Sequence, residues 1–155
     1  MTIIEKLEAK EAVIGIVGLG YVGFPLLLAY AANGYRCIGF DVDQHKIDHI
    51  KAGKGYIDHI DTSALKTAVD DGIIDATLDF ARISDVDAVI ICVPTPLNRH
   101  LEPDLSYVTG TMDSISPYLR KGQIVSLEST TYPGTSEEEL RPRIEAQGLK
   151  IGEDI

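Results

Sequence analysis

Short runs of β-branched and apolar residues alternate along the chain with longer amphipathic stretches. Residues 12–17 (AVIGIV) predict a first strand, closed by the glycine-rich turn GLGYVG. Residues 21–33 predict a helix: Pro25 sits in its first turns, where a missing N–H matters little, and Asn33-Gly34 is a stop signal. Arg36–Phe40 (RCIGF) reads as a second short strand ending at Asp41. Residues 43–52 place Ile47 and Ile50 on one helical face before Gly53 ends the helix. Residues 53–61 read as loop. Residues 62–71 predict another helix, with Ala64, Leu65, Ala68 and Val69 as its apolar stripe and Gly72 ending it. A third strand is predicted at residues 76–80, and a stronger one at 88–93 (AVIICV), whose unbroken β-rich run suits a strand covered on both faces. The three prolines of PTPLNRHLEPD force a loop. A helix over 105–119, a strand at Ile124–Leu127 and a helix over 136–147 follow, the last with Thr135 and Glu138 spaced for a capping box. Residues 149–155 open a further apolar segment.

Strand and helix in strict alternation predict parallel strands joined by right-handed crossovers, hence a single doubly wound α/β domain of the Rossmann type. In such sheets ligands bind beyond the carboxyl ends of the strands, where strand order reverses. The loops after Val17, Phe40, Val93 and Leu127 are therefore the expected site.

Composition narrows the function. With 155 residues, 45% hydrophobic and 25% charged, the chain suits one ordinary globular domain. Its 24 acidic against 14 basic side chains give a net charge of −10, which argues against nucleic acid or an anionic membrane as partner. The apolar stretch 24–32 is too short to span a bilayer, and no basic segment leads into an apolar one near the N-terminus, so a cytoplasmic protein is expected. Cys37 and Cys92 fall inside apolar strands at no metal-ligand spacing and read as reduced core residues. His45 and His49 share a helix face but lack the remaining ligands of a metal site, so no metal is expected.

Gly18-Leu19-Gly20-Tyr21-Val22-Gly23 matches GxGxxG, and its setting makes it informative: a strand before, a helix after, and Asp41 ending the next strand. Gly18 permits the tight turn, Gly20 lets backbone approach a pyrophosphate, and Gly23 lets helix and strand pack closely. Free N–H groups at the helix N-terminus, Tyr21 and Val22 among them, would face the phosphates. Asp41 is placed to accept from the adenosine ribose hydroxyls, which selects NAD over NADP; its bland reading is a strand-end cap. Lys46, one turn into the next helix, either reaches the ribose or is solvated.

Five segments in order carry a resemblance: GLGYVG at 18–23 with FPLLLAYA after it, GFDVD at 39–43, ICVPTPLN at 91–98, PDLSYV at 103–108, and SLESTTYPGT at 126–135. Together they resemble the nucleotide-sugar 6-dehydrogenases, which oxidise the C6 alcohol of a UDP-sugar to a carboxylate with two NAD per turnover. With GYIDHID at 55–61 the wording is most similar to dehydrogenases of UDP-N-acetylglucosamine that serve bacterial surface polysaccharides. Enzymes for UDP-N-acetylmannosamine and UDP-glucose are near alternatives, as is a stand-alone NAD-binding regulatory module. The resemblance implies that Val93, Pro94 and Thr95 line the cofactor, that Ser129 and Thr130 flank the nicotinamide, and that Thr130 positions a catalytic water. It also implies a longer protein that works as a homodimer, with its nucleophilic cysteine, GGxCxPxD motif and uridine-binding domain in segments this sequence does not contain. The chain by itself is expected to bind NAD and to leave UDP-sugars unoxidised.

Overall fold

The computed structural model describes residues 1–155. Five parallel strands form one sheet: β1 (Val13–Val17), β2 (Arg36–Phe40), β3 (Ile74–Thr77), β4 (Ala88–Ile91) and β5 (Ile124–Leu127), in the order β3-β2-β1-β4-β5. The helices are α1 (Ile3–Glu8), α2 (Gly23–Ala32), α3 (Gln44–Lys51), α4 (Leu65–Asp70), α5 (Ser106–Ile115) and α6 (Arg141–Glu145). Strand order reverses between β1 and β4, whose in-register pairing runs from Ile14↔Ala88 to Val17↔Ile91. This is the doubly wound sheet that the alternating pattern predicts, with its switch point between those two strands.

The period-two alternation of the strands sorts side chains onto two cores. Ile14, Ile16, Cys37, Ile74, Ala88 and Ile90 bury one face against Phe24, Leu27, Ile47, Ile50 and Leu65 of α2 to α4. Val17, Ile38, Phe40, Val89 and Ile91 bury the other against Val108, Met112, Ile115 and Ile144 of α5 and α6. Both faces are covered, which explains why β1 and β4 read as continuous apolar runs.

Several elements differ from the sequence expectation, each for a local reason. β3 begins at Ile74 and ends at Thr77, because Phe80 opens a 3₁₀ helix (Phe80–Asp85) whose first N–H groups are capped by Asp79. The helix expected over 105–119 stops at Ile115 and continues as a 3₁₀ turn, Ser116–Tyr118, around Pro117. The helix expected over 136–147 divides into a π-turn, Ser136–Leu140, and α6. Pro142 has no N–H to donate and its ring crowds the preceding turn, and the wider turn makes room for it. The Thr135–Glu138 capping box does not form. Thr135 has helical dihedrals and donates to the Tyr132 carbonyl at 2.6 Å, while Glu138 accepts from the Tyr132 hydroxyl. α4 is shorter than expected, and Ala64 in its predicted stripe is exposed. In the apolar segment 149–155, residues 151–154 form a turn, with Asp154 paired to Lys121 and its carbonyl accepting from Gly122. α1, for which the pattern carries no expectation, forms through a capping box between Thr2 and Glu5.

Asp87 joins this first helix to the sheet at the end remote from the switch-point loops. Only 4% exposed, it accepts from Lys6, Arg120 and the Val13 N–H. Burial would raise its carboxyl, but those three hydrogen bonds outweigh burial and hold it below the ordinary carboxylate range. A carboxyl lowered by folding binds fewer protons in the native state than in the unfolded one. Its contribution is therefore complete above the unfolded pKa of about 3.9 and is lost as pH falls through the folded value. Lys6 and Arg120 are each more than a third exposed, so the contribution is a modest ~1–2 kcal/mol. Asp87→Asn should lower stability by that amount at neutral pH and by less at pH 3, measured by urea denaturation. An equal loss at both pH values would contradict the assignment.

Candidate functional site

The cleft opens where β1 and β4 diverge, has a volume of about 570 Å³, and is lined by the loops after β1, β2, β4 and β5. Gly18, Gly20, Tyr21, Val22, Asp41, Lys46, Val93, Pro94, Thr95, Ser129 and Thr130 all line it, and Gly23 lies behind them, buried.

The three glycines of the turn differ in what requires them. Gly18 has φ +92°, and a Cβ there would sit 2.6 Å from the Cys92 carbonyl oxygen. A Cβ on Gly23 would lie 1.7 Å from the Gly18 carbonyl oxygen, so the first turn of α2 can approach β1 only with glycine at that position. A Cβ on Gly20 would meet nothing within 4 Å, and its φ is not left-handed. Nothing in the chain itself requires glycine at position 20; the bare backbone there faces open cleft. Beside it, the N–H groups of Gly20, Tyr21, Val22 and Gly23 donate to no atom of the protein, and the N-cap residue Val22 provides no side-chain acceptor. Four adjacent unpaired donors at the N-terminus of a ten-residue helix, next to a glycine with room in front of it, suit an anionic diester.

Asp41 is both a strand-end cap and a cleft residue. Its Oδ2 accepts from the Leu19 N–H at 2.8 Å and its Oδ1 from the Asp43 N–H at 3.0 Å. Oδ1, with one donor, keeps a lone pair for a further one. Lys46 Nζ lies 3.4 Å from Oδ2 and is the cation nearest that carboxylate. Lys46 is thus drawn to Asp41 rather than left in solvent. On the far side, Ser129 Oγ donates to the Val93 carbonyl at 2.7 Å and ties the loop after β5 to the loop after β4. Thr130 is exposed, and its hydroxyl makes no hydrogen bond within the protein.

The sequence reading missed Phe40, Phe80, Tyr107, Thr111 and Glu128, which also line the cleft. Tyr107 and Thr111 are separated by one turn of α5, so a common face was legible there, but the direction of that face depends on packing. Cys92 also borders the cleft, whereas Cys37 does not; burial pushes the Cys37 thiol up to about 12 and the Cys92 thiol up to about 11, Glu128 adding to the latter. The rings of His45 and His49 pack on one another at a 42° tilt with centroids 4.1 Å apart, away from the cleft lining. No helix is long and apolar enough to cross a membrane.

Residues 12–155 match the family model described as UDP-glucose/GDP-mannose dehydrogenase family, NAD binding domain. The chain belongs to that family. UDP-N-acetyl-D-mannosamine dehydrogenase of Escherichia coli K12 is 40% identical over 138 residues, covering 84% of this chain and 32% of that protein. UDP-N-acetyl-D-glucosamine 6-dehydrogenase of Pseudomonas aeruginosa is 35% identical over 147 residues, covering 94% and 34%. A ternary complex of GDP-mannose dehydrogenase from Pseudomonas aeruginosa superposes with a TM-score of 0.86 at 35% identity, over 91% of this chain and 34% of that one. The chain therefore spans about a third of the length of the relatives it matches, and the part it spans is the NAD-binding domain of a nucleotide-sugar dehydrogenase.

Proposed function

We propose that NAD lies across the carboxyl ends of the strands with its pyrophosphate on the N–H groups of residues 20–23. The adenosine ribose then rests on Asp41 and the nicotinamide lies between the 93–95 loop and the Ser129-Thr130 pair. The observation that carries this reading is the set of four unpaired donors beside a glycine that the protein's own packing does not require. NAD in this position supplies the hydride acceptor for oxidation of an alcohol. Gly18 and Gly23 set the turn, Asp41 and Lys46 hold the ribose end, and Ser129 fixes the two loops at the nicotinamide end. Thr130, with a free hydroxyl, holds a water at the reacting face. Val93 and Pro94 present apolar wall and exclude other water; Thr95 adds a polar edge. Neither thiol is suited to covalent catalysis, since burial holds both protonated at neutral pH.

In the longer protein this domain serves oxidation of a UDP-sugar at C6, with a UDP-N-acetylhexosamine as the substrate class. The support is in the relatives, whose names include both the N-acetylmannosamine and the N-acetylglucosamine enzymes. Homodimerisation belongs to the same proposal and rests on the family resemblance, and a cytoplasmic location is proposed with it.

Cofactor choice tests the ribose assignment. A 2′-phosphate would meet the Asp41 carboxylate with one lysine, already paired, to offset it. NAD should bind at least about tenfold more tightly than NADP in calorimetric titration, a difference of about 1.4 kcal/mol. Asp41→Asn should narrow that ratio. It keeps one of the two acceptor oxygens, so one backbone N–H loses its partner, whereas Asp41→Ala would strip both the Leu19 and the Asp43 N–H of theirs and disturb the turn more. Equal affinities in the wild type would remove Asp41 from the ribose site.

A further inference from the structure

Tyr56 belongs to the 53–61 segment and is not among the residues lining the cleft, yet it holds the loop that builds it. Its hydroxyl donates to the Leu19 carbonyl at 2.6 Å. Its ring stacks on Phe24 in the first turn of α2, centroids 4.6 Å apart, and His49 of α3 packs edge-on against it at 6.2 Å. Burial raises the phenol and the carboxylates of Asp41 and Asp43 raise it further, so the hydroxyl keeps its proton.

Leu19 is clamped from both sides. Its side chain is fully buried, its N–H goes to Asp41, and its carbonyl has no hydrogen-bond donor except Tyr56. In a trans peptide the carbonyl and the following N–H point in opposite directions. A carbonyl of Leu19 drawn toward Tyr56, which lies outside the cleft lining, therefore turns the Gly20 N–H away from Tyr56. Without the phenol, that carbonyl has a competing acceptor role, one helical turn on, toward the unpaired Gly23 N–H. Such a rotation would consume one donor and aim a carbonyl dipole at the ligand.

We propose that Tyr56 is a positioning residue for the cofactor: by holding the Leu19 carbonyl it orients the Gly20 N–H toward the pyrophosphate without touching NAD. This deepens the reading of the cleft as the NAD site and rests on it. Asp41 and Tyr56 then act as two ends of one clamp, one that also meets the ribose and one that does not.

The test is Tyr56→Phe in the 155-residue protein, which keeps the ring and its stacking on Phe24 and removes one oxygen. NAD, ADP and adenosine are titrated into wild type and variant and followed by ¹⁵N–¹H spectra. NAD and ADP should each bind about tenfold more weakly to the variant, while adenosine, which has no phosphate, binds both proteins equally. The Gly20 amide signal of the free protein should move as well, since the 19–20 peptide has lost its anchor. NAD affinity within twofold of wild type overturns the proposal. An equal loss for adenosine also overturns it, because that marks a general disturbance of the fold. Wild-type protein that binds none of the three would overturn the NAD reading itself, and this proposal with it.

Discussion

Gly20→Val should abolish NAD binding, a loss of at least about a hundredfold or 2.7 kcal/mol, while the melting temperature stays within a few degrees of wild type. The two halves of this expectation come from different facts. A Cβ at position 20 meets nothing within 4 Å and the backbone there is not left-handed, so the folded protein has room for the side chain. Valine's two methyl groups would fill the space directly in front of the donors at residues 20–23, where the pyrophosphate must approach to hydrogen-bond distance. Calorimetric titration with NAD and a thermal melt check both halves. A variant that binds as wild type would show that this turn does not contact phosphate.

Gly23→Ala carries the opposite expectation: a protein that loses stability first and binding only as a consequence. Its Cβ would lie 1.7 Å from the Gly18 carbonyl oxygen and 2.8 Å from the Gly18 carbonyl carbon. Those are backbone atoms held by the pairing of Gly18 N–H to the Phe40 carbonyl, so no side-chain rotation relieves the contact. α2 must move off β1 and uncover part of a core that includes Phe24 and Leu27. Overpacking of a rigid site costs up to about 3 kcal/mol and occasionally more. For a domain of this size that lowers the melting temperature by roughly 10 °C. Unchanged melting of Gly23→Ala would mean that helix and strand are less closely packed than described here.

The contrast between two glycines of one motif shows what the sequence holds and what it leaves out. GxGxxG, with a strand before it and Asp41 after it, located the cleft, because spacing along the chain translates directly into a turn at a strand end. The fold class was legible for the same reason: apolar runs of strand length alternating with helical periodicity leave few topologies. Element ends were less legible. Thr135 and Glu138 have capping-box spacing, yet Tyr132, brought close by the intervening Pro133-Gly134 turn, takes both side chains. Pro142 splits the last helix, and Phe80, apolar enough for a strand, instead fills the second face beside Phe40. The first follows from the proline itself; the second depends on three-dimensional packing. Tyr56 was hidden most completely. It lies 37 residues from its partner Leu19, in a segment whose polar, glycine-containing composition reads only as loop.

The family, too, was carried by short ordered segments. Relatives named for the mannosamine and the glucosamine substrates match the chain at 40% and 35% identity.

The proposed NAD site puts the pyrophosphate at the start of α2. The most direct measurement is a ¹⁵N–¹H titration of the isotope-labelled chain with NAD. The largest shifts should fall on the amides of Gly20, Tyr21, Val22 and Gly23, with Leu19 and Asp43 moving through their bonds to Asp41. No binding at millimolar NAD, or shifts confined to the groove between β5 and α6 around Leu140 and Ile144, would contradict it.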